Sequence, residues 1–385
     1  IDTNYKEFVK EVLDSASKTV NFAEFATAGK VPMVSVMYAG PGQHSSREDG
    51  YEDYLWARFS SGTACSVDDG AVTGSSFFLG DELFQNYNIN DDGGYVPISA
   101  NFDGIGLFCH EFSHALGLPD LYYTGKNTTI SKTIRTMGYW DLMDYGQYMY
   151  NGYYPPAYSA YERSFLGWLD IKELTDPEFV TLYPSGSEDL GPTACVIRNP
   201  ENEKEYYIFQ NRQDRTWYHA NFLGHGLLVT HVDYSASLWT SNSVNNDPDH
   251  RRVMYVPADN GYNLTYRQSG ESSTDFWNTY RNDLFPGGLG VKDFTDTTTP
   301  SADVFTPSGK LGAPVYGITE HADGTITFAF LEKSLTGVQG VTTEENGTAT
   351  EVYGINGRRL PGLQGAAPGV YIVRQGDTVR KVLVK

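Results

Sequence analysis

The sequence predicts an α+β protein in three parts: a mixed helix–strand region over residues 1–170, an all-β, sandwich-like region over 171–335 and a small β module over 336–385. Three observations carry this. Helical and strand periods alternate in the first part. Short alternating runs broken by Gly, Asn, Asp and Pro replace them in the second. The last fifty residues then invert the charge balance, with six Lys/Arg against four Asp/Glu, a net +2 in a chain of formal charge -20.

Taken in order, Glu7 to Ser17 reads as an amphipathic helix, and Met33 to Tyr38 as a buried strand ended by an Ala39-Gly40-Pro41-Gly42 turn. Ile1 to Lys10 lack the charged and apolar stretches of a signal peptide, so any such segment or pro-segment is expected to have been removed or to lie outside this sequence. In the second part Tyr206 to Gln210, Gly226 to Asp233 and Ile326 to Leu331 have strand character. The third part holds three strand-like pieces, Glu351 to Asn356, Gly369 to Arg374 and Thr378 to Val384. Asn356-Gly357 and Gln375-Gly376-Asp377 supply the turns, behind a linker around Ser334 to Asn346.

Composition excludes several classes. A net charge of -20 repels phosphate backbones, which rules against a nucleic-acid partner. No run of eighteen or more apolar residues is present, so no transmembrane helix is expected. The acidic excess reads either as solubility or as carboxylates for Ca2+, and charge alone does not choose. Cys65, Cys109 and Cys195 cannot all pair internally, and Cys109 reads as a buried thiol rather than a reactive one.

Chemistry concentrates between Gly106 and Asp120. Ile105, Phe108, Phe112, Ala115 and Leu116 recur at helical spacing, which predicts a largely buried helix. His110 and His114, four apart, lie one turn above the other on one face and can reach one zinc ion, Zn2+. Glu111 projects from the neighbouring position as a general base that is not itself a ligand. Gly117 can end the helix in a left-handed conformation, Pro119 stiffens the return, and Asp120 brings a third, oxygen ligand. Three protein ligands leave a fourth position open, as catalytic zinc requires.

This string, His110-Glu-Phe-Ser-His114-Ala-Leu-Gly117-Leu-Pro-Asp120-Leu-Tyr122, resembles the elongated zinc motif of the metzincin clan in the form with aspartate as third ligand, and is most similar to that of the immune inhibitor A family of bacterial metalloproteases. Ser113 stands where the family often has glycine. Gly138-Tyr-Trp-Asp-Leu-Met143 resembles the clan's methionine turn, and Pro156 to Trp168 the helix that closes the catalytic domain. Glu205 to Arg212 and Gly224 to Asp233 resemble strands of the second domain. The likeness spans about residues 1–332. It implies a zinc endopeptidase that hydrolyses peptide bonds in protein or peptide substrates. It also implies that Tyr145, two places after Met143, stabilises the oxyanion.

Family members often carry an Asp-rich, calcium-loop-like stretch where this chain reads Phe25-Ala-Thr-Ala-Gly-Lys-Val-Pro32, and no histidine lies near Tyr54-Leu-Trp-Ala57. The tail, Val352 to Leu360, then Gly369 to Val373 and a basic end, resembles the C-terminal sorting domains of the type nine secretion system. That resemblance implies export by the secretion machinery of a Gram-negative host and a secreted or cell-surface location. A rival reading is an adhesin or glycan-binding protein on the same scaffold, since aromatic residues are dense from Tyr139 to Tyr161. The intact Glu111 favours the enzyme, because a binding module needs no base there.

Overall fold

The computed structural model describes residues 5–48, 50–67, 72–89, 95–213, 223–263, 272–335, 350–355, 357–363, 366–375 and 378–384. Helix α1 (Tyr5–Ala16) opens the chain and turns Val9 and Leu13, one turn apart, onto a sheet. With Phe22, Val31, Val36, Phe77 and Leu79 they form the first core. The sheet is built around β4 (Val72–Ile89). β1 (Lys30–Val31) and β2 (Val34–Pro41) pair with it in parallel, β3 (Arg58–Val67) and β5 (Tyr95–Phe102) antiparallel. The turn expected at 39–42 begins inside β2 as a bulge. Register with β4 shifts between Tyr38 and Pro41, because Gly40 sits at φ +90°. Every residue of β5 is exposed.

Helix α2 (Ile105–Ala115) follows, then the short helices α3 (Thr128–Thr133) and α4 (Ala160–Phe165). Ser159 and Glu162 close α4 with a reciprocal capping box. Among the described residues no helix is long and apolar enough to cross a membrane.

Two sheets make up the next part. One is ordered β11–β10–β9–β8–β6, from β6 (Lys172–Glu173), β8 (Ala194–Asn199), β9 (Asn202–Arg212), β10 (Gly226–Asp233) and β11 (Val253–Tyr255). The other is ordered β12–β13–β7, from β7 (Glu178–Leu182), β12 (Val315–Glu320) and β13 (Ile326–Phe330). The two share a core in which Ile197, Phe209 and Val229 of the first meet Leu182, Ile318 and Phe328 of the second. Helices α5 (Ala236–Thr240) and α6 (Ser273–Tyr280) lie in the long connections. β10 is buried along its whole length. Its other face joins a second cluster that crosses residue 170, where Leu121, Trp140, Met143 and Tyr161 pack with Val196, Ile208, Leu228 and Trp239.

The tail forms its own sheet, ordered β15–β14–β16–β17, from β14 (Thr350–Gly354), β15 (Arg359–Leu360), β16 (Gly369–Gln375) and β17 (Thr378–Val384), around Val352, Val373 and Val382. The expected linker at 334–346 lies outside the described residues from 336 onward, as do Asn356, Gly376 and Asp377 of the expected turns.

Candidate metal centre

Helix α2 begins against the loop at 147–152. Gly106 donates its N–H to Gly152 O, and a Cβ there would sit 2.0 Å from Gln147 O, so only glycine allows this approach. The helix ends as its sequence predicts. Gly117 takes φ +101°, with open space where a Cβ would be, so conformation and not room requires glycine. Leu118 N–H bonds back to Ser113 O, and the reversed chain delivers Asp120 to the histidine face.

His110 and His114 stand edge to face, ring centroids 4.9 Å apart. The Nδ1 of His110 donates to Leu142 O at 2.9 Å, and that of His114 to Leu118 O at 2.8 Å. A carbonyl only accepts, so each ring carries its proton on Nδ1 and turns a bare Nε2 inward. Both Nε2 atoms face Asp120 Oδ1, at 3.0 and 3.3 Å. That buried oxygen has no hydrogen-bond donor among the described residues. Burial raises the Asp120 pKa, but the two imidazoles outweigh it and hold it well below the usual carboxylate range. Burial also opposes a charge on His110, and the carboxylate again wins, lifting it to about 9, so without a bound cation a second proton takes the place on Nε2 that a metal ion would fill. Three lone pairs therefore converge on one point that attracts positive charge.

Glu111 lies beside this point, half-buried. Its Oε2 accepts the Phe59 N–H of β3 at 2.5 Å. Burial raises its pKa, against the lowering fields of His110 and His114. Glu111, His114 and Asp120 open onto a cleft of about 780 Å³, with Arg58 to Ser61 of β3 along one side and Trp239 and Asn242 on the other. Among the described residues β3 pairs with β4 alone, so its other edge is presented to the cleft.

The structure thus brings together His110, Glu111, His114 and Asp120. Tyr145 lies in a 3-10 turn, its ring 6.3 Å from those of Tyr139 and Tyr148. Tyr122 lines the cleft instead, stacked on His110 at 6.1 Å, and Asp120 and Glu111 both raise its pKa beyond what burial does.

The floor is folded around buried carboxylates. Asp144 Oδ2 accepts from Thr136 Oγ1 and the N–H groups of Met137 and Gly138, while Oδ1 accepts from Tyr145 N–H. Met143 is fully buried, receives Leu121 N–H on its carbonyl and donates its own N–H to Asp141. Asp141 and Glu162, both fully buried, bond to each other, and burial raises both pKa values. The Asp141 oxygen Oδ2 and the Glu162 oxygen Oε1 meet no other donor among the described residues, so the pair holds a proton.

Two sequence expectations need correction. The apolar stripe of α2 is not buried: Ile105 is 50% exposed, Phe108 39% and Phe112 36%, while the histidine face packs inward. The stripe lines a separate apolar cavity of about 500 Å³, with Pro156, Tyr158 and Trp168 opposite, so its hydrophobic period marks a cavity wall and not a core. Cys109 is half-buried in that wall, its pKa raised by desolvation, and Cys195 is buried. Both are free thiols, and the side chain of Cys65 lies outside the described ones.

Sequence reasoning missed Asn242. Its Oδ1 accepts Asp120 N–H at 2.7 Å and its Nδ2 donates to Asp120 Oδ2 at 2.6 Å, which leaves Oδ1 of Asp120 for the histidines. Asn246 repeats the pattern on Thr124. The Ser241-Asn-Ser-Val-Asn-Asn246 run reads as loop chemistry, and nothing in it signals a partner 122 residues away.

Residues 8–169 match the family model described as immune inhibitor A peptidase M6, catalytic domain. Two curated relatives, each named pre-pro-metalloprotease PrtV, from Vibrio cholerae serotype O1 strains M66-2 and El Tor Inaba N16961, are 24% identical over 256 residues. The alignment covers 55% of this chain and 26% of theirs, so the chain spans about a quarter of the length of these relatives. The segment that carries the His110, His114 and Asp120 constellation is thus the part of the chain that is similar to the catalytic domain of the immune inhibitor A peptidase family.

Proposed function

We propose that this chain is a zinc metallopeptidase, with the metal held by His110, His114 and Asp120 and with Glu111 as general base. The observation that carries the reading is the convergence on one point of two bare imidazole nitrogens and a carboxylate oxygen that has no donor of its own. Like lone pairs repel unless a cation lies between them, and an N,N,O donor set suits zinc. Calcium prefers oxygen, and both three-ligand groups among the described residues include an imidazole, so Ca2+ gains no support.

Bound there, zinc supplies Lewis-acid polarisation of the scissile carbonyl and lowers the pKa of water toward about 7. Glu111 takes the proton of the attacking water and passes it to the leaving amine, while Phe59 N–H fixes its orientation. The Leu118 and Leu142 carbonyls keep both imidazoles in one tautomer. An extended peptide lies along the β3 side of the cleft, with the Phe59 N–H kept for Glu111. Tyr145 is retained as the oxyanion-stabilising residue, with Tyr122 as the competing hydroxyl. Tyr122→Phe and Tyr145→Phe separate them, since only the true donor lowers kcat while leaving KM in place.

The deciding experiment is Glu111→Gln on a casein substrate with metal analysis alongside. The variant should keep zinc and lose about a hundredfold to ten-thousandfold in kcat. Retained turnover overturns the base assignment, and lost zinc overturns its place outside the ligand set.

The division at 1–170, 171–335 and 336–385, the sandwich-like middle and the secreted or cell-surface location belong to the same proposal. The tail sheet packs around its own valines, which supports a separate module, and its engagement of secretion machinery rests on the sequence resemblance. Truncation at Thr336 should leave peptidase activity intact in vitro and block export in a Gram-negative host. Lost activity would make the module part of the folded core.

A further inference from the structure

A second three-ligand group lies outside the proposed catalytic site. His44 follows β2, Asp81 sits in β4, and Asp103 lies two residues before α2. One ligand atom from each falls within 4.8 Å of the others. The His44 side chain is only 3% exposed and that of Asp81 is fully buried. Among the described residues neither ring nitrogen of His44 has a hydrogen-bond partner, and neither has Asp81 Oδ1. His44 Nδ1 stands 3.6 Å from that oxygen, too far for a hydrogen bond. Burial also holds His44 down at about 4, with the Arg47 charge adding to it, so the imidazole is neutral and the contact is not an ion pair.

The rest of the pocket is built to aim these groups. Gly42 N–H holds Asp81 Oδ2 at 2.9 Å, and Gly104 N–H holds Asp103 Oδ1 at 2.9 Å, which leaves one oxygen of each carboxylate for another partner. Tyr148 stacks on the His44 ring at 6.1 Å and Phe84 meets its edge at 6.0 Å, fixing its plane. Arg47 directs its guanidinium to the carbonyls of His44 and Ser46 and does not neutralise the pair. Two carboxylates and a buried, unpartnered imidazole in one pocket are costly without a cation. Without one, burial pushes Asp81 up to about 6 and Asp103 to about 7, the latter further raised by its neighbour's charge.

We propose that His44, Asp81 and Asp103 bind a second divalent cation, a first-row transition-metal ion such as zinc. The nitrogen donor disfavours calcium and magnesium, which take all-oxygen shells. The ion joins the loop after β2, the middle of β4 and the residue just before the N-cap of α2. It therefore clamps the start of the helix that carries His110, Glu111 and His114 onto the first sheet. Its role is to position α2, not to take part in the reaction.

The test uses the full chain, stripped with chelator and titrated with zinc alone, with bound metal counted by mass spectrometry. Wild type should bind two zinc ions per chain, and His110→Gln/His114→Gln should keep one. Adding His44→Gln to that double variant should remove the remaining one. Because His44→Gln or Asp81→Asn could disturb packing, Asp103→Asn in the same background is the second arm. With circular dichroism unchanged, it should abolish the rise in Tm that zinc produces. A double variant that binds no zinc, or binding that survives both His44→Gln and Asp103→Asn, overturns the second site. Wild type with one ion lost only on changing His44 would instead overturn the catalytic assignment, so the two failures are distinguishable.

Discussion

Across the cleft, the wall that presents β3 rests on a core of seven buried apolar residues, whereas the floor under Asp120 and Met143 belongs to one of twenty-one, counted among the described residues. The wall's sheet ends in β5, exposed along its whole length. The floor is fastened by Asp144, Asp141 and the second-region asparagines, each making several bonds. Local opening costs least where few apolar contacts are lost. Asp120 thus rests on the better-packed side, and the β3 edge on the side whose local opening costs less.

The sharpest test of that contrast is a cavity on each side. Leu121→Ala, beside Asp120 in the larger core, should cost about 2–5 kcal/mol in chemical denaturation, and Val36→Ala in the smaller core less. Equal losses would break the comparison. Asn242→Ala removes both side-chain bonds to Asp120 while leaving the β3 side of the cleft unchanged. It should weaken zinc about tenfold to a hundredfold, read by competition with a chromophoric chelator.

The Asp141–Glu162 pair gives the floor a pH signature. Both pKa values are raised in the folded protein, chiefly by burial, so the folded chain keeps a proton that the unfolded chain releases near pH 4 to 5. Its contribution is fully present below that range and is lost as pH rises through the folded value. Glu162→Gln should flatten the fall in stability between pH 5 and 8 in denaturant titrations. An unchanged slope would reject the shared proton. The smallest effect belongs to the wall: Ile98→Thr on exposed β5 should change stability by no more than about 0.5 kcal/mol.

The parts of this molecule that announce themselves in sequence are those where one local period or one short spacing decides the structure. The His110–Asp120 motif, the glycine stop, α1, β10 and the tail strands are of this kind. β3 to β5 are not. Their Ser, Gly, Asn and Asp residues break the alternation, because β5 is wet on both faces and β3 serves as a cleft edge. The buried-helix expectation for α2 failed for a related reason: periodicity reports an apolar face, and a cavity wall has one too. Asn242 and the His44–Asp81–Asp103 pocket depend on residues far apart in the chain, where no spacing rule reaches.

The grip of Asn242 on Asp120 also bears on how such a domain can be cut or transplanted. The family match stops at residue 169, yet the third proposed ligand is oriented by a side chain 73 residues beyond that point, and Trp239 reaches back to hydrogen-bond Tyr161. Fragment 1–170, expressed alone, would retain every proposed ligand and lose the hand that aims one of them. It would also expose the underside of its own floor. The segment matched by the family model is therefore smaller than the unit that orients its proposed ligands. A graft meant to carry the chemistry must include the chain at least through Asn246, whose side chain anchors Thr124.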